Sequence, residues 1–174
     1  TTGGVNSHFF RKTLGVRDQR EVEQRNDVLV YTSEPFDHDQ SIIGPLEVVL
    51  HAATEGRTTD FTAKLCEVRP DGYSAVLEDG VRRGPDLLAG QESASMEPGR
   101  PHRFTLDLGA TGIRIRQGHR LRVEISSSNF PKYSRNPNTG ENAESASVFK
   151  TVRQTIMHTA EQPSYIVLPV LKEN

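Results

Sequence analysis

Three consecutive serines, Ser126-Ser127-Ser128, are the closest this sequence comes to a cluster of nucleophiles. A serine hydrolase of the α/β-hydrolase type sets its serine in G-x-S-x-G at a strand-to-helix elbow, which exposes the hydroxyl and lets backbone amides form the oxyanion hole. That pentapeptide is missing from the sequence. The serines close a strand pattern with no helix pattern behind it, so hydrogen bonding to backbone at the strand end is their expected work. The six histidines, at 8, 38, 51, 102, 119 and 158, show neither the i, i+2 nor the i, i+4 pairing of a zinc site. Asp37-His38-Asp39 offers two carboxylates around an imidazole, but no further ligands are spaced nearby, and a solvated loop is expected. The single Cys66 falls mid-strand without a base beside it and reads as a packing residue. His119 begins a strand and His158 ends one, neither with an evident acid partner. No catalytic residue, metal site or cofactor is therefore expected.

The elements that carry these residues are strands. In 118–125, Leu121, Val123 and Ile125 share one face while Arg120, Arg122 and Glu124 share the other, the period of two that marks one buried and one wet face. This strand runs into a long polar loop, 126–142, punctuated by Pro131, Asn136, Pro137, Asn138 and Gly140. Further strands are expected at 28–32, 46–53, 61–68, 74–78, 104–108, 148–157 and 165–170. Pro70-Asp71-Gly72 and Asp79-Gly80 supply turns, and 82–100 forms a long excursion. Leu46, Val48, Leu50, Phe61, Ala63, Leu65, Phe104, Leu106, Leu121, Val123, Ile125, Ile166 and Leu168 are the expected core. With about eight strands, turn signals roughly every ten residues and no amphipathic helix, an all-β antiparallel sandwich of jelly-roll topology is expected.

At 174 residues the chain suits one domain able to bury about 70% of its unfolded surface. A net charge of −2 argues against nucleic acid or an anionic membrane as partner, since either favours a strongly basic face. No stretch approaches the roughly 18 apolar residues of a membrane span, and no signal-peptide pattern opens the chain. One cysteine leaves the compartment open, with the cytoplasm as the expectation. The chain opens on Thr-Thr-Gly-Gly rather than Met, so a piece of a longer protein is also an expectation.

The segment SSSNFPKYSRNPNTG at 126–140, with 18–35, 59–72, 118–131 and 163–170, resembles the C-terminal domain of the cocaine esterase-like and X-Pro dipeptidyl-peptidase-like serine hydrolases. The resemblance implies a galactose-binding-like jelly roll (residues 25–174) that follows an α/β-hydrolase domain carrying the Ser-Asp-His triad. Residues 1–24 become a lead-in from that domain, either lying on the surface or bringing His8, Phe9 and Phe10 near the acyl pocket. The implied function is non-catalytic support of a hydrolase acting on esters, amides or X-Pro peptides. Its partner is the hydrolase domain of the same polypeptide, with a homo-oligomer also possible through Phe9 and Phe10. Candidate interface residues are Phe9, Phe10, Asn129, Phe130, Tyr133, Asn136 and Asn138, with Phe130 expected as a buried anchor in an apolar centre with a polar rim. The alternative is an independent carbohydrate-binding module with Phe130, Tyr133 and Tyr73 as stacking platforms, though the chain has no Trp.

Overall fold

The computed structural model describes residues 16–84, 96–142 and 145–172. Alternating apolar residues there close into two antiparallel sheets. One short helix, α1 (Arg20–Glu23), precedes eight strands: β1 (Leu29–Thr32), β2 (Gln40–Thr54), β3 (Thr59–Val68), β4 (Ser74–Gly84), β5 (His102–Ile115), β6 (Arg120–Ser126), β7 (Gln154–Ile156) and β8 (Tyr165–Val167). The first sheet has the order β1-β6-β3-β4; the second runs β5-β2-β7, with β8 also paired to β2. The chain crosses repeatedly between sheets, the Greek-key habit of a sandwich. The core lies between them and includes Leu46, Val48, Leu50, Phe61, Ala63, Leu65, Phe104, Leu106, Leu121 and Ile125. Phe61 and Phe104 meet at its centre, ring centroids 4.8 Å apart. Each such side chain contributes about 1.5–3 kcal/mol on burial. Val123, Ile166 and Leu168, expected in the core, are only partly buried, because they lie towards one open edge.

Several strands outrun their sequence signals. Asp79-Gly80, expected as a turn, lies inside β4, opposite Lys64 and Ala63. Gly80 is needed there because a Cβ would come within 2.2 Å of the Asp107 carbonyl oxygen, so β4 and β5 touch backbone to backbone. β2 continues through Gly44-Pro45, and β5 through Gly109 and Gly112; the two stay paired from Gln40–Ile115 to Ala52–His102 across one bulge at Leu46/Glu47. β7 and β8 are shorter than expected, since β2 pairs with them only at Ala52–Thr54 and Glu47–Val49.

The outer face of the first sheet is the largest departure. Glu124, expected in water, is 3% exposed, and Asp60, Thr62, Lys64 and Cys66 on β3 are buried beside it. Residues 17–25 cover one half of this face. Asp18 bridges to Ala75, and the Gln19 amide donates to the Ser74 carbonyl at 2.8 Å. The loop 129–142 covers the other half through Asp60 and Asp79. Period-two alternation reports which face a residue occupies; it cannot report that a polar covering lies over that face.

Candidate functional site

The loop is built on two strand carboxylates. Asp79 of β4 accepts from Asn129 Nδ2 at 2.7 Å and from the Lys132 ammonium. Asp60 of β3 receives both Nε and Nη2 of Arg83, each at 3.0 Å, and Asn136 Nδ2 at 2.7 Å. Asn136 Oδ1 in turn accepts from Thr58 Oγ1 and from the Asn138 amide, both at 2.9 Å. Asn138 sits at φ 61°, which asparagine tolerates better than most residues, and its Nδ2 donates to the Lys150 carbonyl at 2.8 Å. Arg83 Nη2 also reaches the Ser134 carbonyl at 3.3 Å. Such charge-assisted bonds are about twice as strong as neutral ones, so they hold a long loop that has no strand of its own.

The structure divides the candidate residues between two tasks. Asn129, Asn136 and Asn138 face inward and fix the loop. Phe130 is not the buried anchor expected: 41% exposed, it leaves the buried positions to Asn129 and Pro137. The reason is local. Asn129 turns inward to meet Asp79, which leaves the next side chain facing solvent. Tyr133 is half-buried with the Lys132 ammonium 5.3 Å from its ring centre. Phe9 and Phe10 lie outside the described residues. Around Phe130 the sequence reading missed Arg135, Val148 and Phe149. The Arg135 guanidinium lies 5.4 Å from the Phe130 ring centre and 4.8 Å from that of Phe149. Phe149 and Val148 are exposed. Lys150 adjoins them through its amide, bonded to the Pro137 carbonyl at 3.0 Å, and Arg57 lies against Gly140. Phe130, Arg135 and Phe149 thus form an exposed cation–aromatic patch on the loop, with Val148 beside Phe149 in the chain. Phe149 is hidden in the sequence because the pattern over 148–157 predicts one strand.

The serines do cap. Thr62 Oγ1 and Ser126 Oγ are 2.7 Å apart, Ser126 Oγ reaches the Ser128 carbonyl at 3.1 Å, and Ser128 Oγ accepts from the Phe130 amide at 3.4 Å.

Beneath α1, Lys64 Nζ lies 2.8 Å from Gln19 Oε1 and 3.6 Å from Glu124 Oε2. Arg122 pairs with Glu23, whose other oxygen accepts from Ser74 Oγ. Cys66 Sγ is 3.4 Å from Glu124 Oε1. Burial pushes the Glu124 carboxyl up against the downward pull of Lys64. Burial also pushes the Cys66 thiol far up, and the Glu124 charge pushes it further. Ligand atoms of Glu23, Cys66 and Glu124 lie within 4.8 Å of one another. Lys64 and Arg122 already neutralise the two carboxylates, and the thiol stays protonated, so the group works as an ion-pair net. His119 gains the acid its sequence context lacked: Nδ1 lies 2.8 Å from Glu67 Oε1 across the sheet.

Residues 5–167 match the family described as the X-Pro dipeptidyl-peptidase C-terminal non-catalytic domain. The chain belongs to this family. It is 38% identical over 166 residues to a cocaine esterase of Rhodococcus sp. (strain MB1 Bresler), an alignment covering 94% of this chain and 29% of that protein. A solved α-amino acid ester hydrolase superposes with a TM-score of 0.82 at 33% identity, covering 91% of this chain and 28% of the other. An aminopeptidase from a marine sediment Thaumarchaeota archaeon gives the same TM-score of 0.82 at 29% identity, over 90% and 28% of the two chains. The domain thus spans under a third of each of these relatives. Among the described residues no helix is long and apolar enough to cross a membrane.

Proposed function

We propose that this chain is the non-catalytic β-sandwich domain of a serine hydrolase acting on esters, amides or X-Pro peptides. In that setting its partner is an α/β-hydrolase domain in the same polypeptide. The observation that carries this is the family match over residues 5–167 in a chain that spans only 29% of the cocaine esterase. The aromatic patch supplies a seat for that partner. Phe130, Val148 and Phe149 are apolar and exposed, and the Arg135 guanidinium lies over the two rings, which suits an apolar surface edged by a carboxylate. Asn129, Asn136 and Asn138 hold the patch in place, and residues 1–24 serve as the covalent lead-in.

Two measurements test the proposal. The 174-residue chain should hydrolyse p-nitrophenyl acetate no faster than a denatured control and should resist a serine-directed phosphonate; enzyme-like turnover with covalent labelling would sink it. In a polypeptide carrying both domains, Phe130→Ser/Phe149→Ser should lower the melting temperature of the hydrolase portion while leaving the isolated sandwich unchanged. A homo-oligomer through Phe9 and Phe10 is a separate part of the proposal. Sedimentation of wild type against Phe9→Ser/Phe10→Ser should then show a concentration-dependent species lost in the variant.

A further inference from the structure

At the edge opposite the β4–β5 contact the two sheets part. The gap is a cavity of about 210 Å³, walled by Val48, Leu50, Val123, Ile125, Ile156 and Ile166 and bordered by Tyr31, His158, Ser164 and Tyr165. Its mouth results from a break in the edge of the second sheet. β7 pairs with Ala52–Thr54 and β8 with Glu47–Val49, so on the side away from β5 Leu50 and His51 have no strand partner. Side chains and a single backbone bond replace the missing ladder. Ser164 Oγ accepts from the His51 amide at 3.0 Å and donates to the Met157 carbonyl at 2.8 Å, while the Met157 amide reaches the His51 carbonyl at 2.8 Å. The amide and carbonyl of His51 and of Met157 are thereby satisfied, which distinguishes a specified opening from a packing fault.

Across the mouth, Tyr31 of β1 and His158 of the β7–β8 connection meet, hydroxyl to Nε2, at 2.9 Å. Their rings pack edge to face with centroids 5.2 Å apart. With His158 Nε2 donating to the phenol oxygen, the Tyr31 hydroxyl keeps its own proton for an acceptor at the rim. Apolar walls with a single polar bracket at the opening are the makings of a small-molecule site. An apolar cavity of about 150 Å³ takes benzene, so this one has room for an aryl ring and one further functional group.

We infer that the cleft between β1 and β7–β8 binds a small aryl carbonyl compound, its ring between Leu50, Ile125 and Ile166 and its oxygen on the Tyr31–His158 pair. This site is distinct from the aromatic patch, and its occupancy does not depend on a hydrolase partner. The probe is 4-fluoroacetophenone, titrated into the 174-residue chain and followed by fluorine NMR and by backbone amide shifts. Saturable binding is expected, with shifts confined to residues 29–32, 47–51, 123–125 and 154–166. Ile166→Phe, which fills the cavity, should abolish it, and Ile156→Phe is the second such variant if the first does not fold. Tyr31→Phe should weaken the ketone about fivefold, the loss of one hydrogen bond, while leaving fluorobenzene unchanged. Non-saturable shifts, binding that survives the filled cavity, or a ketone no more sensitive to Tyr31→Phe than fluorobenzene would each overturn the inference.

Discussion

Gly80 and Asn136 show how much single positions decide here. An alanine methyl at Gly80 would meet the Asp107 carbonyl at 2.2 Å and the Leu108 Cα at 3.3 Å, both backbone, so relief requires β4 and β5 to separate. Gly80→Ala should lower stability by about 1–3 kcal/mol, the usual range for an overpacked core, read as a drop in the urea midpoint at unchanged slope. Asn136 holds Asp60, Thr58 and the Asn138 amide at once. Asn136→Ala leaves the Asp60 carboxylate with Arg83 alone and should cost about 2 kcal/mol, with hydrogen exchange speeding up in 129–142 before it does so in β3. Cys66 should be silent: buried, with its thiol pushed far up, it should react with Ellman's reagent only at the rate of global unfolding.

At the scale of elements, the net beneath α1 binds a helix too short to stand alone. Its charges come as two pairs, Lys64–Glu124 and Arg122–Glu23. Removing one member strands the other in a dry site, so Lys64→Met should cost about 3–5 kcal/mol, whereas Lys64→Met/Glu124→Leu should recover much of that loss. Equal destabilisation by the single and double variants would show that the pair does not act as a unit. The sequence disclosed the strands well where alternation is clean, as in Leu121-Val123-Ile125 and Phe61-Ala63-Leu65. It failed where local punctuation and tertiary need disagree: Asp79-Gly80 has the chemistry of a turn, yet close approach by β5 is what requires the glycine. The candidate loop was legible in its asparagines and prolines. Its cationic-aromatic patch was not, because Arg135 and Phe149 are 14 positions apart and meet only when the loop folds onto Asp60 and Asp79.

For the whole molecule, three surface carboxylates each add a small, solvent-screened share to the acid side of the stability profile. Arg20 beside Asp18 holds its carboxyl below the usual range, Arg25 does the same for Asp27, and the Gln117 amide does so for Asp39. A depressed carboxyl favours the folded state above its unfolded value of 3.8, and that advantage fades as pH falls through the lower folded value. The urea midpoint should therefore decline below about pH 4. In Asp18→Asn/Asp39→Asn that decline should be shallower. Glu124 acts in the opposite sense and at higher pH: its raised carboxyl takes up its proton more readily when folded, so stability gains as pH falls towards its unfolded value of 4.5, before the aspartate decline begins.

The sandwich is also wedge-shaped, with backbones touching where Gly80 meets Asp107 and a 210 Å³ gap at the far edge. Void volume that vanishes on unfolding, or on flooding with water, makes a protein compressible at the place where the void lies. Hydrostatic pressure should therefore act on this molecule as on a hinge, leaving the β4–β5 seam unmoved while Ile156 and Ile166 respond first and nonlinearly in high-pressure NMR.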